Sequence, residues 1–213
     1  MSKREPYSLQ GVIIFYDLIQ IILNTALFAY ALYGWYNYKP DFNFACEPVD
    51  WGNSKIAIKQ AESIYYFYLL KLLDLCDTVF FVLKKKTRQI SFLHVYHHLG
   101  VVFFTYKSMG WSPGGHFIIV GLFNCFIHAI MYTYYLVSAY KPELKDNIRI
   151  KKSVTRMQMI QFLLLIFFFA RPLMSSDCAL PKFFLLEIVL QNVVLFCLFA
   201  NFYYKNYHVK KVE

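Results

Sequence analysis

The chain has 213 residues, 58% hydrophobic, 20% aromatic and only 16% charged. Soluble domains are nearer a quarter charged, so a soluble enzyme, a disordered tail and a disulfide-rich secreted domain are poor fits and a membrane protein is indicated. The net charge of +9 would suit nucleic acid, but the 22 Lys and Arg sort by membrane side, so no nucleic-acid partner is expected.

Six stretches are long enough to cross about 30 Å of hydrocarbon at about 1.5 Å per helical residue. They are residues 9–33, 60–83, 90–106, 116–139, 155–169 and 183–204, the third and fifth being short and carrying polar residues. None has the even alternation of a membrane barrel strand, and backbone groups in lipid must pair within their own segment, so helices are expected. The expected fold is therefore an all-α polytopic bundle of six transmembrane helices, a single domain over residues 1–213 with short tails at 1–8 and 205–213. The flanks 1–8, 84–89, 140–153 and 205–213 hold fourteen Lys and Arg, against six in the alternate set 34–59, 107–115 and 171–182. That bias predicts cytosolic N- and C-termini. The first residues lack a cleavable signal pattern, so the first span reads as a signal anchor. Lys210 and Lys211, fourth and third from the end, resemble the di-lysine signal that returns membrane proteins to the endoplasmic reticulum. Cys76, Cys125 and Cys197 fall in spans. Cys46 and Cys178 fall in two loops on the side opposite the termini, the oxidising lumen in that compartment, where one disulfide is expected between them.

Ionisable groups inside spans are costly, about 2.5–3.5 kcal/mol each on insertion scales, and mark sites or pathways. The second span holds Lys71, Asp74, Asp77 and Thr78, which at about 100° per residue fall within one arc of roughly 120°. A self-neutralising pair would need one carboxylate, and here there are two. The third span opens His94-x-x-His97-His98, three imidazoles on one helical face. The fourth carries Asn124, His128, Tyr132 and Tyr135 on one face, and the fifth Thr155, Gln158 and Gln161 at a spacing of three; interhelical hydrogen bonds alone could account for either stripe. His116 and His208 read as boundary residues. Asp17, Glu187 and Gln191 are also intramembrane, with no role evident from the sequence.

Clustered imidazoles can bind metal, move protons or act as nucleophiles. A diiron lipid oxidase needs more histidine ligands than the six in this chain, of which only His94, His97, His98 and His128 are plausible; a three-histidine zinc site remains arithmetically open. A transporter is a further alternative, which the histidine box argues against. The metal-free reading, with no tightly bound cofactor, is acyl transfer. An imidazole attacks an activated acyl group, neighbouring imidazoles shuttle protons, and Asn, Gln, Tyr or Lys donors hold the developing charge. An aromatic-rich bundle could hold a long alkyl chain, and the basic rim could hold an anionic carrier such as coenzyme A.

The blocks Lys71–Thr78 followed by Phe80-Phe81-Val82-Leu83-Lys84-Lys85-Lys86, His94 to His98, Asn124 to Tyr135 and Thr155 to Phe162 occur in the order found in the ELO family of fatty-acid elongases, which the chain resembles over nearly its whole length. The resemblance implies a helix bundle around an acyl-chain tunnel, in the endoplasmic reticulum membrane. It implies condensation of a long-chain acyl-CoA with malonyl-CoA to a 3-oxoacyl-CoA, CO2 and CoA. It casts His97 as the acyl-accepting nucleophile, His128 as its partner, and His94 and His98 as orienting the box. Lys71, Asp74, Asp77, Asn124, Tyr132, Gln158 and Gln161 would line the polar interior. The implied partners are the two CoA substrates, membrane lipid, and other elongases, reductases and a dehydratase in homo- or hetero-oligomers. The family's lumenal disulfide also resembles the Cys46–Cys178 pair. Two departures stand out: Asp74 replaces the usual Glu, and the chain begins just before what resembles the family's second span, so a first helix is not represented. A truncated elongase acting as a non-catalytic partner subunit is the alternative reading.

Overall fold

The computed structural model describes residues 5–38, 41–145 and 147–208; Lys210 and Lys211 lie outside them. The helices are α1 (Gln10–Tyr38), α2 (Lys55–Asp74), α3 (Cys76–Leu83), α4 (Phe92–Trp111), α5 (Ile118–Tyr140), the single turn α6 (Pro142–Lys145), α7 (Ile148–Met174) and α8 (Lys182–Tyr207). Six long rods result, because α2 and α3 are two parts of one span broken at Leu75. The fifth rod starts well before residue 155. Its basic first turns continue the helix beyond the apolar stretch, and Asn147 Oδ1 caps them by accepting from the N–H groups of Arg149 (3.0 Å) and Ile150 (3.3 Å).

Four segments are long and apolar enough to cross a membrane: Gln10–Asn37, Gly115–Tyr140, Ile148–Met174 and Lys182–Tyr207. The two long rods outside that set, α2–α3 and α4, carry the Lys–Asp cluster and the histidine box. Their polar faces meet inside the bundle, while Leu69, Leu72, Val79 and Phe103 are exposed on the outside. Around the bundle the rods follow the order α1, α2, α4, α8, α7, α5 and back to α1, with α2 also touching α5. The chain is thus an all-helical polytopic membrane protein among its described residues.

The two ends of the bundle differ. On the side where the termini lie, the N–H of Tyr7 donates to Leu83 O (3.2 Å), joining the lead-in of α1 to the end of α3. There too Arg156 Nε of α7 donates to Tyr203 Oη of α8 (2.8 Å). The opposite side is closed covalently: Cys46 and Cys178 form a disulfide, their Cα atoms 5.8 Å apart. His116 is fully buried beneath it and uses every polar atom. Its N–H donates to Glu47 O (3.0 Å), Nε2 to Phe168 O (2.9 Å), and Nδ1 accepts from Glu47 N (3.5 Å). This boundary histidine is a clamp between the 41–54 loop and α7. Gly115 before it has φ +54°, and an added Cβ would meet Pro48 O at 2.6 Å, so only glycine fits.

The main apolar core (Ile64, Phe117, Leu165, Phe169, Phe184, Ile188) fills the disulfide half of the bundle. Two small cavities lie in the wedge between α1, α2 and α5, lined by residues such as Ala31, Ser63, Phe67 and Ile118. No box histidine lines either, so neither is the acyl-chain tunnel expected from the histidines.

Candidate active site

The break between α2 and α3 shapes the site. An unbroken helix would pair Thr78 N with Asp74 O; instead it donates to Leu75 O (3.1 Å). Carbonyls freed near such a break must find other partners. Leu73 O accepts from Tyr16 Oη of α1 (3.2 Å). Neither Gly nor Pro marks the spot. A side chain of another helix braces the distortion.

Lys71 is buried at the centre. Its ammonium has three N–H groups and three acceptors around it: Asp74 Oδ2 (2.8 Å), Asn124 Oδ1 (2.8 Å) and His128 Nδ1 (3.4 Å). An ammonium only donates, so the nitrogen facing it is the one carrying a lone pair. Nδ1 also stands 3.5 Å from Asp74 Oδ2, and a proton on Nε2 of neutral His128 is the arrangement that gives the Lys71 ammonium its third acceptor. The other oxygen of Asp74, Oδ1, accepts from Gln20 Nε2 of α1 (2.8 Å). Tyr132, fully buried, has one phenolic proton. It goes to Asp77 Oδ2 at 2.8 Å, with Tyr16 Oη (3.4 Å) and Asp74 Oδ1 (3.5 Å) alongside.

The histidine box sits in the first two turns of α4, whose start is capped by Ser91 Oγ accepting from His94 N (3.2 Å). His97 is about 8 Å below that start at about 1.5 Å per residue. The three rings share a face but reach different helices. His94 Nε2 is hydrogen-bonded to Thr78 Oγ1 of α3 (2.9 Å) and its ring lies tilted against that of His98, centroids 4.2 Å apart. His97 turns toward α5, α7 and α8: its ring lies 6.4 Å from His128 at an interplanar angle of 22°, with Phe162 at 6.5 Å and Phe199 at 6.1 Å. His97 and His128 are thus the pair with an apolar surround, and the Lys71 cluster stands behind His128.

Not every expected residue joins this network. Gln158 of α7 donates to the thioether of Met131 (3.5 Å) instead. Thr155 bonds the Lys151 carbonyl of its own helix (3.0 Å), and Gln161 is buried on the same helix with no bond to Lys71, Asp74 or either central histidine among the described residues. Tyr135 stacks edge-on against Tyr132 (6.0 Å). Glu187 of α8 pairs with Lys107 of α4, and Tyr96 Oη donates to Gln191 Oε1 (2.7 Å), so these two intramembrane residues tie α4 to α8. Two members of the network, Tyr16 and Gln20, escaped the sequence reading. Their signal was a polar line, Tyr16, Gln20 and Asn24, every fourth residue in an otherwise apolar helix. Among the described residues no three His, Cys, Asp or Glu side chains are gathered to hold a metal ion.

Fold and site together define a polytopic helical membrane protein with a histidine pair backed by a buried Lys–Asp centre. The model of the GNS1/SUR4 (ELO) family matches residues 1–213, and the chain belongs to that family. It is similar to a very long chain fatty acid elongase of Aedes aegypti, 35% identical over 99% of this chain and 58% of the relative. It is likewise similar to very long chain fatty acid elongase 7 of Drosophila melanogaster (36%, 97% and 62%) and very long chain fatty acid elongase 4 of Homo sapiens (33%, 99% and 66%). The chain thus spans about three-fifths of the length of the two insect relatives, against 58% and 62% by alignment.

Proposed function

We propose that this chain carries out the condensation step of fatty-acid elongation: long-chain acyl-CoA plus malonyl-CoA gives a 3-oxoacyl-CoA two carbons longer, CO2 and CoA. The observation that carries the reading is the meeting of His97 and His128, rings 6.4 Å apart, in a family whose similar members are named elongases. The rings lie in the half of the bundle on which the basic segment at residues 84–88 opens.

In this reading a nitrogen of His97 attacks the thioester carbonyl. A C–N bond forms, the C–S bond breaks, and the imidazole proton goes to the CoA sulfur, which leaves as thiol. Malonyl-CoA then loses CO2, its C–C electron pair remains on C2, and C2 attacks the acyl carbonyl. The C–N bond breaks and the imidazole takes up one proton. His128, with its proton on Nε2, is the acid–base partner, and Lys71 and Asp74 hold that tautomer. His94 and His98 orient the box, His94 through Thr78 and His98 through its ring contact with His94. Lys84, Lys85, Lys86 and Arg88 attract the CoA phosphates, and the alkyl chain lies among the aromatic side chains of α7 and α8. The basic bias favours cytosolic termini, the disulfide suits the lumen of the endoplasmic reticulum, and oligomers with other elongases or elongation-cycle enzymes are compatible with the apolar outer surface.

The test is a condensation assay in membranes with a panel of acyl-CoAs and carboxyl-labelled malonyl-CoA. Acyl-dependent release of labelled CO2 that falls to background in His97→Ala is the expected result. If well-folded protein releases none with any acyl-CoA, the reading is wrong and the chain is better described as a non-catalytic partner subunit.

A further inference from the structure

Helix α1 buries two amides, Gln20 and Asn24, both at 0% exposure. A buried amide in a membrane helix needs partners, and those of Gln20 account for its whole side chain. Asn24 Nδ2 donates to Gln20 O (2.8 Å) and to Gln20 Oε1 (3.1 Å). That second bond decides which way the Gln20 amide is turned: its oxygen faces Asn24, so its Nε2 faces the site. Nε2 then donates to Tyr16 Oη (2.8 Å) and Asp74 Oδ1 (2.8 Å). The oxygens of Asp74 are divided, Oδ1 to Gln20 and Oδ2 to Lys71, with His128 Nδ1 at 3.5 Å from Oδ2.

We propose that Gln20 is a positioning residue. It holds the Asp74 carboxylate in the one orientation that keeps Lys71 on His128 Nδ1, and so keeps the His128 proton on Nε2, toward the acid–base work. The inference rests on the function proposed above. Asn24 is the residue that orients Gln20, so the line runs Asn24, Gln20, Asp74, Lys71, His128, across three helices. Substituting Gln20 leaves Lys71, Asp74 and both histidines in place, which separates this role from theirs.

Two variants test it. Gln20→Met keeps length and removes the donor. Outer-shell partners that orient metal ligands are worth about 10–100-fold in activity, and a loss of that order is taken for this orienting donor. That loss is expected in kcat, with KM for both CoA substrates within about threefold because Gln20 touches neither. Gln20→Glu keeps the shape but donates to Asp74 only when protonated. The new carboxyl would face Tyr16 on its own helix, Lys71 and Asp74 on α2, Asp77 on α3, and His128 and Tyr132 on α5. Asp17 is buried on the same helix. The variant therefore works where the glutamate is protonated and loses kcat as pH rises and it ionises. A wild-type amide does not titrate, and the wild-type profile lacks this limb. A Gln20→Met enzyme with wild-type kcat, or a Gln20→Glu profile superimposable on wild type, overturns the proposal. Should Gln20→Met fail to fold, Gln20→Glu at low pH carries the test. Should wild type itself show no condensation, the proposed function fails separately. The positioning role is then read from the Asp74 carboxylate infrared band, assigned with Asp74→Asn. A shifted band in Gln20→Met supports the role, and an unshifted band overturns it.

Discussion

Replacing Lys71 with methionine removes a charge whose three donors all end inside the protein, on Asp74 (2.8 Å), Asn124 (2.8 Å) and His128 (3.4 Å). Two limits bracket the cost. Breaking a buried ion pair in a soluble core costs about 3–5 kcal/mol because a lone charge is left behind. In a bilayer the reference state differs. Separated helices stay inserted, and Lys71 and Asp74, three residues apart on α2, still face each other there. Folding adds the interhelical bonds to Asn124 and His128, which in membranes average about 0.6 and reach about 1.7 kcal/mol each. The second limit governs, and Lys71→Met is expected to cost about 2 kcal/mol. Asp74→Asn should cost a similar amount, since it weakens the bonds from Gln20 and Lys71 together. The double variant should cost within about 0.5 kcal/mol of the sum, because the Lys71–Asp74 attraction is present in both states and cancels from the cycle. Reversible unfolding in mixed micelles on a denaturing-detergent gradient measures all three. A Lys71→Met loss above about 4 kcal/mol, or a coupling above about 2 kcal/mol in the cycle, would refute the reasoning, because the pair would then be absent from the separated helices.

Three further outcomes follow from particular contacts. Cys46 and Cys178 close a loop of 132 residues, for which free-chain closure gives about 5 kcal/mol. Inserted helices already restrict the chain, so Cys46→Ser/Cys178→Ser should lose about 2–4 kcal/mol, seen as a lower thermal midpoint that reductant reproduces in wild type; an unchanged midpoint would contradict it. Gly115→Ala forces a Cβ to within 2.6 Å of Pro48 O at φ +54°, and a loss of about 1–3 kcal/mol is expected; wild-type stability would mean the 41–54 loop yields at no cost. The Lys107–Glu187 pair is a fifth to a quarter exposed, 20% and 25%, so a Lys107→Met/Glu187→Gln cycle should show a coupling of only about 1 kcal/mol. A coupling above about 3 kcal/mol would make this pair, rather than helix packing, the main joint between α4 and α8.

Much of the site could be read along single helices. Spacing alone puts Lys71, Asp74 and Asp77 on one face, and Asn124, His128 and Tyr132 on another, because helical phase is a local property. The break at Leu75 could not be read that way, since the group that braces it, Tyr16 Oη on Leu73 O, comes from α1. Nor could the divergence of the box, where His94 turns to Thr78 and His97 to His128. The stripe on α7 misled for the same reason: Gln158 has the right phase for the network, but the neighbour opposite is Met131.

The amino-acid sequence by itself determined the number of spans, their helical nature and the inward direction of each polar group, because hydrocarbon penalises unpaired backbone and exposed charge residue by residue. Tertiary structure alone decided which inward groups meet. It set Gln20 on Asp74, Lys71 on His128 and His97 against the His128 ring, because the order and rotation of packed helices depend on contacts between residues far apart in the chain, and no pattern within one helix encodes its neighbour.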